Sequence, residues 1–395
     1  MKKLFYSIIL ITISYYSFSQ CNGRYENEIF NSINISTLNY SDIYIDNEHT
    51  MDIYTPVGDT VSSRPLIIYM HGGSFYGGDK GMTDCVDFCT SFARRGYVTA
   101  SINYRLANML SFLFSQEEQY KAVLRAVADA KSAVRFFRKD FANGNSYGIN
   151  PNAIYVAGYS AGGVIAIHQA FIDSLTDLPL NIQSYASVIG GTLEGDAGNI
   201  GYSSKIHGVI NIAGGINDVN WIDSHDEPIV SAQGDNDNTV NFNCGPGLNN
   251  PAILTLCGVG EIHPKADNVG VLNDMLVFNN TDHSWAALGN ANTKFIQAVD
   301  FFSDFIFNIL PCNQVTSYMQ NANKDFSFYP NPTQDKLYFH TEHPISIVIY
   351  NILGEVVISK ENIHYGAFIS LKDLNKGAYF LKTQKSTNYK KIIVN

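Results

Sequence analysis

The stretch "AGYSAGG", residues 157–163, sets Ser160 between glycines at the end of an apolar run. A serine hydroxyl is a weak nucleophile at neutral pH. It needs a base to take its proton, and acyl transfer also needs donors for the developing oxyanion. The same residues suit a tight turn, so the partners decide. "YMHGGSFYGG" runs a strand into His71, Gly72, Gly73 and Ser74, where consecutive small residues let two backbone N–H groups approach one point. "PIVSAQGDNDNTV" ends a strand at Gly234 and then offers two carboxylates, Asp235 and Asp237. "DMLVFNNTDHSW" ends another strand and offers His283. A competing histidine, His263, precedes Pro264 at what reads as the opening of a helix, a poor place for a base.

These groups need a scaffold that brings strand ends together. From Pro65 to about Leu310, short β-branched runs alternate with amphipathic segments. The runs are "LIIYMHGG", "YVTASINYR", "AIYVAGYS", "IHGVINIAGG", "PIVSAQGD" and "DMLVFNN". Val123, Val127, Ala130, Val134 and Phe137 recur at steps of four and three, one face of a long helix. Strands alternating with helices predict a mostly parallel central sheet with helices on both faces, and such sheets place ligands at the carboxyl ends of their strands. Every candidate group above sits at such an end. Around Ser160, a strand, a sharp turn and then "AGGVIAIHQAFI" as a helix form the strand-turn-helix context of a nucleophile elbow. The helix start offers free N–H groups and a positive dipole end to an oxyanion.

After Cys312 the texture changes. "NQVTSYMQNANKD", residues 313–325, is linker-like. From Phe326 to Asn395 short strands follow at even intervals, which predicts a small all-β sandwich. At the other end, Lys2 and Lys3 before an apolar stretch from Leu4 to Ile13 make residues 1–20 a secretory signal peptide. Gln20 is a poor small residue for lipidation at Cys21, and no later stretch reaches the roughly 18 continuous apolar residues of a membrane span. The mature protein is expected to be exported and soluble.

The chain has 395 residues, 45% apolar, 13% aromatic and 16% charged, with a formal net charge of -10. That supports a large core and argues against disorder. The absence of a basic stripe argues against nucleic acid as a partner. No G-x-G-x-x-G follows a strand and no P-loop lysine pattern occurs, so nucleotide binding is disfavoured. "DNDNTV" fails as an EF-hand, because the sixth position from Asp235 is Val240 and the twelfth is Pro246. No cysteine pair has zinc spacing with a histidine nearby. Of the six cysteines, Cys244 and Cys257 bracket a Gly/Pro/Asn-rich loop and are the first choice for a disulfide, with Cys21–Cys312 the second. Cys85 and Cys89 lie one helical turn apart, where Cβ atoms about 5 to 6 Å apart exceed the disulfide optimum near 3.8 Å. They need a distorted helix or are buried thiols.

Residues 50–310 resemble an α/β-hydrolase of the carboxylesterase type, close to the hormone-sensitive-lipase and feruloyl or acetyl esterase groups. The matching pieces are "HGGSF", "INYRLA", "AKSAVRFFRK", "GINPNAIYVAGYSAGG", "GDNDNTV" and "DHSW". By that resemblance the nucleophile is Ser160, the base His283, and the oxyanion donors the amides of Gly73, Ser74 and Ala161. The family's G-x-x-D-x-x-V pattern falls on Gly234, Asp237 and Val240, which selects Asp237 over Asp235. Two positions depart from the pattern: Ser74 is third in the HGGG run, and Asp282 replaces the glycine before the histidine. The resemblance implies no metal or organic cofactor.

The tail, in "FYPNPTQDKLYF", "IYNILGEVV", "LKDLNKGAYFLK" and "KKIIVN", resembles the C-terminal sorting domain of type IX secretion cargo. That implies passage across a Gram-negative outer membrane by the type IX machinery, loss of the tail, and release or surface attachment.

The leading expectation is a secreted serine esterase acting on short-acyl, carbohydrate-linked (acetyl or feruloyl) or aryl esters. The segments 106–118 and 172–204 are expected to wall its pockets. The alternatives are a prolyl-oligopeptidase-type peptidase, which shares the triad order but usually carries a large domain ahead of the hydrolase, and a non-catalytic hydrolase-fold binding protein.

Overall fold

The computed structural model describes residue 21, residues 24–188 and 192–311, and, of the C-terminal part, residues 326–329, 331, 333, 335–341, 344–351, 354–364, 367–383 and 390–394. The chain divides into two compact units, within residues 1–315 and 316–395.

The first unit is built on eight strands: β1 (Ile33–Asn39), β2 (Thr50–Pro56), β3 (Arg64–Met70), β4 (Val98–Ile102), β5 (Ile149–Tyr159), β6 (Val209–Ile212), β7 (Ile229–Gly234) and, after the two-stranded hairpin β8 (Cys244–Pro246) and β9 (Thr255–Cys257), β10 (Asn273–Phe278). Their order is β1-β2-β4-β3-β5-β6-β7-β10. From β4 onward all neighbours are parallel. The two strands ahead of β3 add an antiparallel edge. The helices are α1 (Thr83–Arg94), α2 (Met109–Phe114), α3 (Gln116–Ala142), α4 (Ala161–Phe171), α5 (Leu180–Val188), α6 (Val259–Val269) and α7 (Thr293–Ile309).

Alternation along a strand divides the sheet's side chains between two cores. Leu66, Ile68 and Met70 of β3 pack with Val127, Val134 and Val164 of α3 and α4. Ile67 and Tyr69 point the other way, among Phe88 and Phe92 of α1 and Phe295 and Phe302 of α7. Both faces are therefore covered, which is why these strands read as unbroken apolar runs. The predicted helical face is the buried side of α3: Val123, Val127, Ala130, Val134 and Phe137 are all buried.

Cys244 and Cys257 are disulfide-bonded and sit opposite each other across the antiparallel strands β8 and β9, which flank the loop they bracket. Cys85 and Cys89 are free and buried on α1. Cys21 is buried, while its expected partner Cys312 lies outside the described residues, as do the signal segment 1–20 and the linker 313–325. His263 does not open a helix: α6 begins four residues earlier, at Val259, and carries Pro264 inside it.

In the second unit, β11 (Phe326–Tyr329), β12 (Lys336–Thr341) and β15 (Phe368–Ser370) form one sheet, and β14 (Val356–Ile363), β13 (Ile345–Tyr350), β16 (Gly377–Thr383) and β17 (Lys390–Val394) form another. Leu337, Phe339, Ile347, Ile349, Leu381 and Ile392 form their shared core. This is a small antiparallel sandwich.

Candidate active site

Four parallel strands deliver the site's residues at their carboxyl ends. Strand β5 stops at Tyr159, and Ser160 turns the chain into α4 with φ 55° and ψ -118°. A non-glycine residue at positive φ is strained, and its surroundings hold it there. The Ser160 amide donates to Ile212 O at 2.8 Å, and Ser160 O accepts the first helical bond from Val164 N at 3.0 Å. The flanking glycines are required by close approach. A Cβ on Gly162 would lie 1.9 Å from Met70 O, and one on Gly158 would lie 2.3 Å from Gly162 C. The elbow thus presses against the end of β3 with no room for a methyl group.

The structure joins Ser160, His283 and Asp237 in one line of hydrogen bonds. Ser160 Oγ lies 2.8 Å from His283 Nε2, and His283 Nδ1 lies 2.7 Å from Asp237 Oδ2. A carboxylate only accepts, so Nδ1 carries the hydrogen and Nε2 is left to accept from Ser160. Asp237 is buried. Its Oδ1 accepts the amides of Thr239 and Val240, each at 2.9 Å, and its Oδ2 also accepts from Gln233 Nε2 at 3.2 Å. Four donors compensate the cost of burying this charge. The spacing of the G-x-x-D-x-x-V pattern acquires a physical meaning here: the valine's amide caps the carboxylate three residues before it.

The other carboxylates are elsewhere. Asp235 is exposed. Asp282 is exposed and accepts the Ser284 amide and hydroxyl at 3.0 and 2.9 Å. Those bonds hold its carboxyl below the usual range and cap the turn after His283. His263 is buried in α6 against Asn273 Oδ1 at 2.7 Å, and burial lowers its pKa to about 4.

The loop after β3 carries Gly73 and Ser74, two of the residues expected to serve an oxyanion. Gly73, Ser74 and Phe75 all have positive φ. A Cβ on Gly73 would meet Gly77 O at 2.0 Å, while one on Gly72 would sit 3.4 Å from Ser160 Cβ. The loop therefore curls beside Ser160. Among the described residues no protein acceptor takes the amides of Gly73 or Ser74, and Ala161, first in α4, has an amide with no intrahelical acceptor. His71 is buried. Its Nδ1 bonds Gly72 O at 2.6 Å, its ring stacks on Tyr104 at 4.2 Å, and burial lowers its pKa.

Two supporting residues were not singled out from the sequence. Gln233 bridges Asp237, Val240 O at 2.7 Å and the Val259 amide at 3.0 Å. Its signal was a polar side chain inside the buried strand "PIVSAQG". Tyr159 stacks on His283, and its only signal was its place in "AGYSAGG".

Residues 51–191 match the BD-FAE family model, and residues 327–395 match that of a secretion system C-terminal sorting domain. Gut esterase 1 of Caenorhabditis elegans is 28% identical over 140 residues, 35% of this chain and 23% of that protein. Carboxylesterase 1C of Rattus norvegicus is 32% identical over 115 residues, covering 29% and 20% of the two chains. Arylacetamide deacetylase of Bos taurus is 34% identical over 122 residues, covering 30% and 27%. The match thus spans less than a third of the length of each of these relatives. Among solved structures, Thermogutta terrifontis esterase 2 with propionate bound superposes with a TM-score of 0.50 at 20% identity, over 69% of this chain and 93% of that one. That likeness is one of fold. The sorting domain directs the chain to the cell surface or outside by type IX secretion, and no helix among the described residues is long and apolar enough to cross a membrane. The first unit therefore has the α/β-hydrolase fold, with residues 51–191 similar to the BD-FAE family and residues 327–395 to secretion system C-terminal sorting domains.

Proposed function

We propose that the chain is a secreted serine carboxylic-ester hydrolase whose catalytic residues are Ser160, His283 and Asp237. The observation that carries this reading is the hydrogen-bonded line from Ser160 Oγ through His283 to Asp237, at 2.8 and 2.7 Å. As Ser160 Oγ attacks the ester carbonyl, its proton passes to His283 Nε2. Asp237 holds the tautomer and stabilises the imidazolium. The carbonyl oxygen becomes an oxyanion served by the amides of Gly73, Ser74 and Ala161. His283 returns the proton to the leaving alcohol, and an acyl group remains on Ser160. Water, deprotonated by the same histidine, then releases the acid.

The substrate class is short-acyl, carbohydrate-linked acetyl or feruloyl, or aryl esters, a choice supported by the esterase resemblances and by an exported destination. Residues 1–20 are the signal peptide, 21–312 the hydrolase, 313–325 the linker and 326–395 the sorting domain, which engages the type IX machinery. The test is initial rates on p-nitrophenyl acetate, butyrate and octanoate for wild type and Ser160→Ala. Wild-type activity falling with chain length, and a loss of roughly 10⁴-fold or more in the variant with Tm unchanged, is expected. Activity retained in Ser160→Ala overturns the assignment.

A further inference from the structure

We infer that Tyr159 is a positioning residue for the base, fixing the imidazole of His283 over Ser160 and coupling the nucleophile, the base and the oxyanion loop in one unit. The inference rests on the serine-hydrolase reading above. Tyr159 immediately precedes the nucleophile and is buried. Its ring stacks on the His283 imidazole with centroids 5.2 Å apart and planes 28° apart. Its hydroxyl donates to His283 O at 3.0 Å. Burial, with the negative charges of Asp84, Asp237 and Asp282 behind it, keeps the phenol protonated far above its ordinary range, so it stays a donor. The other edge of the ring reaches the oxyanion loop: a Cβ on Gly72 would lie 3.1 Å from Tyr159 Cδ1.

The consequence is geometric. His283 arrives on the loop after β10, while Ser160 arrives on the turn after β5, and nothing covalent sets their separation. Tyr159 does so because it is bonded to Ser160 through one peptide link and grips His283 at two points, the ring face and the backbone carbonyl. The hydroxyl fixes the height of the backbone of His283. The ring face restricts rotation of the imidazole, so that Nε2 stays aimed at Oγ. A flat π face beside the imidazole also favours the imidazolium formed when the base takes the serine proton. Both effects act after substrate is bound, so they belong in kcat and not in KM.

The experiment compares wild type, Tyr159→Phe and Tyr159→Leu on p-nitrophenyl acetate, with thermal unfolding measured on the same full chains. Tyr159→Phe keeps the ring and loses the carbonyl contact, and is expected to lower kcat roughly fivefold. Tyr159→Leu loses both contacts, and is expected to lower kcat about a hundredfold, in line with the effect of a small misplacement of a reacting group. KM should stay within about twofold in both. Partial rescue by phenylalanine marks the stacked face as the larger contribution. If both variants keep wild-type kcat, or if the loss appears in KM alone, the positioning role is overturned while the esterase reading stands. If Tyr159→Leu does not fold, Tyr159→Phe decides alone: lowered kcat at unchanged KM and Tm supports the role, and wild-type kcat overturns it. A wild type with no hydrolysis overturns the underlying reading, and this role with it.

Discussion

The two units solve opposite problems with the same hydrophobic effect. In the C-terminal sandwich the buried residues are aliphatic and aromatic, and its buried polar side chains among the described residues are the threonines Thr333, Thr341 and Thr383. The hydrolase unit buries Asp84, Asp129, Arg135, His168, Asp237 and His263 within its core. Each such group costs stability unless it is hydrogen-bonded. Asp237 shows how that cost is met, with four donors on two oxygens. Among its described residues the sandwich buries no charged side chain. The strained backbone at Ser160 and the buried carboxylate of Asp237 both lie in the hydrolase unit.

The sharpest way to break this contrast is at the carboxylates. Asp237→Asn keeps the shape but favours the wrong histidine tautomer, and should lower kcat about 10⁴-fold. Asp235→Asn, on an exposed side chain, should stay within about twofold. Steady-state kinetics of the pair decides, and the reverse ranking would reassign the orienting group. Next in size, Leu381→Ala in the sandwich core should cost about 2 to 5 kcal/mol of that unit's stability. Calorimetry should show the loss, while kcat on p-nitrophenyl acetate stays within about twofold of wild type.

The smallest effect concerns Asp84, which lies fully buried with Oδ2 accepting from Tyr69 O–H at 2.8 Å. Desolvation pushes its pKa up from 3.8 to about 6. The folded protein therefore keeps a proton that the unfolded chain has already lost. Its contribution to stability is full below about pH 4 and is lost as pH rises through about 6. Asp84→Asn should gain on wild type by up to about 3 kcal/mol between those limits. Tm measured from pH 4 to 7 checks the sign, and a constant difference between the two proteins would contradict it.

Much of the site was legible because its constraints are local. The glycines around Ser160 are dictated by contacts within the elbow and with the end of β3, and the valine of "GDNDNTV" by the cap on Asp237. The chain order serine, carboxylate, histidine needed only strand ends to be found. The edge strands β1 and β2 were not read, because their pairing sets Ile33 against Pro56 and Asn39 against Thr50 and no local pattern announces such a register. Tyr159 escaped for the same reason: its partner His283 lies 124 residues away. Pro264 suggests a helix start at His263, but α6 begins at Val259 and holds Pro264 in its interior, where proline gives up one intrahelical hydrogen bond.

The most direct test of the central claim is covalent labelling of the full chain with a fluorophosphonate, followed by intact-mass and peptide mass spectrometry. The account predicts a single adduct on the peptide carrying Ser160, formed by wild type and absent from Ser160→Ala. An adduct on another residue, or an unlabelled wild type, would contradict it.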